Sequence, residues 1–278
     1  MFKVDFIGIG SGKCGSTWIY DNIAAHPEVC DKNLKELNYF SDLYDEHPFS
    51  WYQSQFGGCG DKLIKGEFSV TYLGHPLAAG RIKKHFPDAK ILAIVRNPVK
   101  RAFSNYLHSI RKGDIADSFA FGDYINDEDT LAPGKYADYL KAYYDLFGAD
   151  NIYVIVLEEF LKDIPAGMKQ IYQFIGVNDI DFLPEGYDQA NNEAKSYKYL
   201  WIENLMVKTY RWLSRSGYTR LVKTILDTGI GTLIRKINGQ DKPVPKIDDT
   251  SKDRLTAYYQ AYNTELERLL GRELTIWK

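Results

Sequence analysis

The chain has 278 residues, 45% of them apolar and 14% aromatic, with a formal net charge of −2 at pH 7. That balance excludes bulk electrostatic attraction to nucleic acid, while the apolar share is ample for one large α/β domain or two small ones. No apolar run reaches the ~18 residues needed to span a membrane, and no stretch resembles a secretory leader, so the expectation is a soluble, cytoplasmic protein.

The first predicted element is a strand over 3–9, and residues 16–25 follow as a helix. Between them lies Gly8-Ile9-Gly10-Ser11-Gly12-Lys13-Cys14-Gly15-Ser16-Thr17-Trp18. A strand, a glycine loop and a helix N-terminus make an anion site, because the loop N–H groups and the helix end point positive charge at one place. Lys13 adds a full charge, and Ser16 and Thr17 add hydroxyl donors. A Walker A loop would need a glycine at position 7 and Ser or Thr after the lysine; Ile7 and Cys14 stand there instead. Gly10, Gly12 and Gly15 satisfy a dinucleotide fingerprint formally, but no clear second strand ending in an acid follows about twenty residues on.

Strands are next predicted at 62–67 and 90–96, with helices at 76–86 and 98–112. Ile91–Val95 is a continuous apolar run of the kind that is buried in a parallel sheet. Arg96 falls at its carboxyl end, Pro98 suits a first helical turn, and Ser104 comes two turns later. Ligands of open α/β sheets bind at the carboxyl ends of strands, so Arg96 and Ser104 can meet on one phosphate. Helices at 117–126 and 135–147, a strand at 151–157 and a helix at 167–176 complete the alternation. Glu158 and Glu159 read as caps of the following helix. The fold class expected is α/β, with a mainly parallel central sheet flanked by helices. Residues 197–240 read as a helical insert or cap with basic faces, 238–249 as a loop, and 251–270 as a final amphipathic helix. That insert leaves peripheral membrane contact open, although packing against the sheet is the plainer reading. Cys14, Cys30 and Cys59 are odd in number and lack metal-ligand spacing, so neither a disulfide scaffold nor a metal site is expected.

Lys13-Cys14-Gly15-Ser16-Thr17-Trp18 resembles the 5′-phosphosulfate loop of sulfotransferases, and Arg96 to Ser104 resembles their 3′-phosphate segment. Lys35-Glu36-Leu37-Asn38-Tyr39-Phe40 and Gly66-Glu67-Phe68-Ser69-Val70-Thr71-Tyr72-Leu73 are similar to segments of the glycan branch of that family, which includes heparan sulfate enzymes and bacterial relatives. Phe68 stands where that branch commonly has Lys, and Val70 where it has Pro. The end of the chain, Leu266 to Trp277, resembles the closing helix and tail of the bacterial members.

The resemblance implies a P-loop-like nucleotide-binding fold and 3′-phosphoadenosine 5′-phosphosulfate as donor, with no metal. It further implies catalytic roles for Lys13 and Glu36, the latter as general base. The donor would be held by Gly12, Lys13, Cys14, Gly15, Ser16, Thr17, Trp18, Arg96 and Ser104, and the acceptor would be a glycan or small-molecule hydroxyl or amine. Glu67, His75 and His108 are reserve bases, and Asn191, Asn192, Lys195 and Lys198 match a further donor loop loosely. A small-molecule kinase and a non-catalytic nucleotide-binding module are the alternatives.

Overall fold

The computed structural model of the chain describes residues 2–30, 34–60, 63–189, 196–197, 239–240 and 246–278. The helical insert expected at 197–240 and the loose donor loop at 191–198 lie outside these residues, apart from a short antiparallel pairing of Ser196–Tyr197 with Gly239–Gln240.

Four strands, β1 (Phe6–Gly10), β2 (Gly66–Phe68), β3 (Lys90–Val95) and β4 (Ile152–Val156), form a sheet in the order β2-β1-β3-β4. Every pairing in it is parallel, with Ile7 opposite both Glu67 and Ile91, and Ile91 opposite Ile152. β1 and β3 are apolar on both faces and almost wholly buried, as a doubly covered parallel sheet demands. The chain leaves β1 toward β2 and returns on the other side to β3. The carboxyl ends of β1 and β3 therefore bracket the switch point where open sheets take ligands.

The covering helices are α1 (Ser16–Ala24), α2 (Phe49–Gln55), α3 (Ala78–His85), α4 (Pro98–Lys112), the short α5 (Phe121–Tyr124) and α6 (Glu128–Leu131), α7 (Tyr136–Phe147), α8 (Leu157–Phe160), α9 (Ile164–Ile175) and α10 (Asp249–Leu270). Caps explain where several begin. Asn97 Oδ1 accepts from Val99 N and Lys100 N at the start of α4, and Asp163 accepts from Ala166 N, so that α9 begins at Ile164, three residues before the helix expected at 167. Helix was expected over 117–126, but only 121–124 forms, where Gly122 and Asn126 give the segment little helical preference. α2 was not expected; its aromatic side chains close a ring cluster with Tyr39, Phe40, His85 and Phe86. Glu158 does not cap α8. Its carboxylate accepts from Asn97 N and from the Trp277 indole, so it ties the chain's last turn to the start of α4.

Gly8 and Gly66 let rings lie flat on the sheet. A Cβ added at Gly8 would fall 1.9 Å from Phe68 Cδ2, and one at Gly66 would fall 2.2 Å from Phe6 Cε1. Gly8→Ala is therefore expected to force Phe68 out of place and to cost about 1–3 kcal/mol, read as a lower urea midpoint with unchanged slope.

Cys30 and Cys59 are disulfide-bonded with Cα atoms 5.5 Å apart, a single bond in a chain where no disulfide scaffold was expected. Sequence spacing does not show this pair, because α1, α2 and their loops bring the two residues together across 29 positions. No described helix is long and apolar enough to cross a membrane.

Candidate active site

The loop after β1 is shaped by backbone conformations that few residues adopt. Gly15 takes a left-handed φ of 82° as the N-cap of α1, and Lys13 takes 68°. For a non-glycine residue that conformation costs about 1–2 kcal/mol, so the lysine is held by its surroundings. Ser11 N donates to Ile94 O at 2.8 Å, which docks the loop on β3. No side chain caps α1, so the N–H groups of its first turn are left to serve an anion.

Arg96 is brought to this loop. Its Nη1 donates to Lys13 O at 3.1 Å. The Tyr136 hydroxyl donates to Arg96 O at 2.8 Å and lies 3.7 Å from the Cys14 sulfur, so one buried tyrosine of α7 clasps both predicted phosphate elements. Cys14 faces this core; burial pushes its thiol up to about 11. Only its backbone can meet a ligand. Trp18 is buried as well, with its indole N–H given to Tyr187 O at 3.0 Å and its ring against Phe160. Ser16 is buried at the start of α1, whereas Thr17 is exposed. Ser104 lies half-buried on α4, two turns beyond Arg96, on the helix that also carries Arg101 and Asn105.

A cavity of about 270 Å³ opens above the loop. It is lined by Ser11, Gly12 and Lys13 of the loop, by Val70, Thr71 and Gly74 of the turn after β2, and by Arg101 and Asn105 of α4. A larger cavity, about 590 Å³, runs along β4 beneath α9 and the end of α10; none of the predicted site residues lines it. The smaller cavity is strongly electropositive. Burial, and then repulsion by Arg111, Lys112, Arg101 and Lys35, push the Lys13 ammonium down to about 8. His108 is pushed down to about 4 by burial and by Lys13, Arg111 and Lys112, so it is neutral at physiological pH. Arg101 is only 2% exposed. It donates to Thr130 O at 2.7 Å, and its Nε has no partner among the described residues. Buried cations are stable when something negative meets them, and this cavity is built for a multiply charged anion.

Glu36 is tied to the cavity through the turn after β2. Residues 34–36 run beside β2: Phe68 N donates to Leu34 O and Glu36 N to Phe68 O. Its carboxylate pairs with Lys35 Nζ and accepts from Val70 N at 3.3 Å, and Val70 lines the same cavity as Lys13. Glu36 and Asn38 both have left-handed φ, 57° and 52°. Glu67 is wholly buried beneath this segment, and His75 is spent locally, its Nδ1 accepting from Leu77 N. Phe68 is wholly buried over Gly8, so no cation approaches the cavity from that position. The sequence reading missed Arg101, Asn105 and the Val70–Gly74 wall. Arg101 could have been found from its helical spacing with Ser104, Asn105 and His108, but the wall depends on the turn after β2 and has no local signal.

A family model described as the sulfotransferase domain matches residues 3–269. Among curated proteins, the human bifunctional heparan sulfate N-deacetylase/N-sulfotransferase 2 is 24% identical over 96% of this chain, and the alignment covers 29% of that protein. The mouse heparan sulfate glucosamine 3-O-sulfotransferase 6 is 23% identical, over 95% of this chain and 71% of its own. This chain thus spans under a third of the length of the bifunctional relatives it matches. Among solved structures, a sulfotransferase from Alicyclobacillus acidocaldarius superposes with a TM-score of 0.69 and 25% identity, covering 100% of this chain and 99% of that one. The sulfotransferase domain of the curacin biosynthetic pathway shares the fold at a TM-score of 0.51 and 13% identity, over 69% of this chain and 79% of that one.

Proposed function

This chain belongs to the sulfotransferase family, and we propose that it transfers a sulfuryl group from 3′-phosphoadenosine 5′-phosphosulfate to a hydroxyl or amine of a carbohydrate. The observation that carries the reading is the joining of Lys13 to Arg96 at the switch point, with the Glu36 carboxylate bonded to Val70, which lines the same cavity as Lys13. The surplus of positive charge fits a donor that carries a phosphate at one end and a phosphosulfate at the other. The family's carbohydrate-acting relatives support the acceptor class.

The donor supplies an activated sulfuryl group on its 5′-phosphate. The chain supplies charge, position and a base. Lys13 and the N–H groups of Gly15, Ser16 and Thr17 hold the 5′-phosphate and stabilise the charge that grows on its oxygen as the S–O bond breaks. Arg96 and Ser104 hold the 3′-phosphate. Glu36 accepts the acceptor's proton while the new bond to sulfur forms. Its partner Lys35 holds the carboxylate in place through an ion pair. Transfer of labelled sulfate from the donor to a panel of glycans, lipids and phenols tests the reading, with glycan labelling expected.

The 3′-phosphate assignment predicts tight binding of 3′-phosphoadenosine 5′-phosphate and weak binding of AMP. Losing a charge-assisted contact costs about 1.5–3 kcal/mol, a preference of roughly 10- to 150-fold. Calorimetry with both nucleotides measures it, and equal affinities would remove Arg96 and Ser104 from the donor site.

A further inference from the structure

We infer that Glu67 is a positioning residue, holding the Glu36 segment in its reactive place through Ser69 and Asn38. The proposal rests on Glu36 being the general base.

A carboxyl buried on a central sheet is costly unless its oxygens are met by hydrogen bonds. Glu67 is 0% exposed. Three hydroxyls donate to it: Ser69 Oγ to Oε2 at 2.7 Å, Tyr72 Oη to Oε1 at 2.7 Å and Tyr52 Oη to Oε1 at 3.2 Å. Among the described residues no Lys, Arg or His pairs with it. Burial, partly offset by these three donors, holds its carboxyl up at about 7. It has no access to the cavity, so it takes no part in proton transfer.

The Ser69 bond has a consequence that the two tyrosine bonds lack. A serine hydroxyl has one hydrogen and two lone pairs. With its hydrogen committed to Glu67, Ser69 turns a lone pair to Asn38 N, which donates to it at 3.0 Å. Asn38 and Glu36 are the two left-handed residues of the segment. Their conformations are unfavourable for side-chain-bearing residues and are held from outside. Residues 68–71 supply four holds: Phe68 O on Glu36 N, Val70 N on the Glu36 carboxylate, Ser69 on Asn38 N, and Thr71 Oγ1 on Asn38 Oδ1. The Asn38 carbonyl is held from further along the chain, by Leu43 N and Ser41 Oγ. Glu67 orients the one of the four that clamps the Asn38 N–H. A general base displaced by about 1 Å loses on the order of 10²-fold in rate, so this tether is where the fold reaches the chemistry.

Glu67→Gln, Ser69→Ala, the double variant and Tyr52→Phe test the proposal in the full-length chain. Tyr52→Phe removes a donor to Glu67 that leads away from Asn38. Glu67→Gln and Ser69→Ala are each expected to lower kcat about 10- to 100-fold. The affinity for 3′-phosphoadenosine 5′-phosphate should change less than about twofold, because the lesion is in the base and not in donor binding. Because both residues act in one chain of bonds, the double variant should be no slower than the slower single. Hydrogen exchange in the peptide 34–41 should speed up in Glu67→Gln and Ser69→Ala and stay unchanged in Tyr52→Phe, whose kcat should also hold.

Wild-type protection of 34–41 in Glu67→Gln would overturn the proposal. So would loosened exchange with full turnover while Glu36→Gln is inactive, or a loss of kcat in Tyr52→Phe equal to that in Glu67→Gln. Ser69→Ala leaves the buried acid in place and carries the test alone if Glu67→Gln does not fold. Full turnover of Glu36→Gln would instead sink the general-base reading, and exchange at 34–41 would still report on the tether by itself.

Discussion

Lys13→Ala is expected to lower sulfuryl transfer by about 10²–10³ without loosening the fold. Lys13 lies in the loop after β1 and contributes one wall of the cavity. Its ammonium makes no hydrogen bond or ion pair among the described residues, so alanine removes no structural contact. What it removes is the one full charge within the loop that would cradle the 5′-phosphate. Stabilisation of developing charge by a fixed group is worth about 2.7–4 kcal/mol in such sites. The same electrostatics fix the sign of the stability change. The folded ammonium sits at about 8, below its ordinary 10.5. The unfolded chain therefore binds more protons between those values, and at neutral pH holding this charge opposes folding. Alanine should leave the melting temperature unchanged or raise it while activity collapses. Donor-product affinity in the wild type should weaken as pH rises through about 8, because the anion favours the charged lysine, and that pH dependence should vanish in the variant. Calorimetry across pH 7–9 and a thermal melt check both statements; near-normal turnover of a folded Lys13→Ala protein would sink the catalytic role.

The second large effect is expected from Glu36→Gln, a loss of about 10²–10⁴ in kcat with donor-product affinity retained. The amide keeps the size of the side chain and can still accept from Val70 N, so the rim of the cavity should keep its shape. It can no longer take a proton. Lys35 loses its ionic partner, and because its side chain is only 12% exposed a modest fall in melting temperature is expected alongside. Donor binding is proposed to depend on Lys13, Arg96 and the α1 terminus, none of which bonds to the Glu36 carboxylate, and should not follow. Steady-state kinetics with saturating donor, paired with calorimetry of the donor product, separates the two contributions. A Glu36→Gln protein that turns over normally would move the search for the base elsewhere. Of the reserve bases that leaves His108, on the helix that carries Arg101 and Asn105; it stays neutral down to about pH 4.

These expectations rest on features of two kinds. Local chemistry is legible in the chain without a structure. The glycines and Lys13 between an apolar run and a helix state an anion loop, because few other uses need that conformation and that charge together. Arg96 at the end of Ile91–Val95 and Ser104 two turns into the next helix follow from strand and helix periods alone. The alternation of strands and helices likewise implies the parallel sheet, since each apolar strand must be covered on both faces.

Other features were decided only when distant segments met. Glu36 stands in a stretch with no helical or strand period, and its place at the cavity comes from residues 66–71 bonding across to 34–38. The Cys30–Cys59 bond joins two loops that nothing in their spacing relates. Glu158 carries a sequence pattern that suits a helix cap, yet it bonds to Asn97 and Trp277, more than sixty positions before it and more than a hundred after. Phe68, at a position where a cation would be expected from its relatives, lies instead against Gly8 because parallel pairing sets the two residues opposite each other. Periodicity and turn chemistry report the free energy of neighbours along the chain. Pairings across the sheet, burial and the field around Lys13 depend on contacts whose partners are far apart in sequence, and only the packed fold brings those partners together.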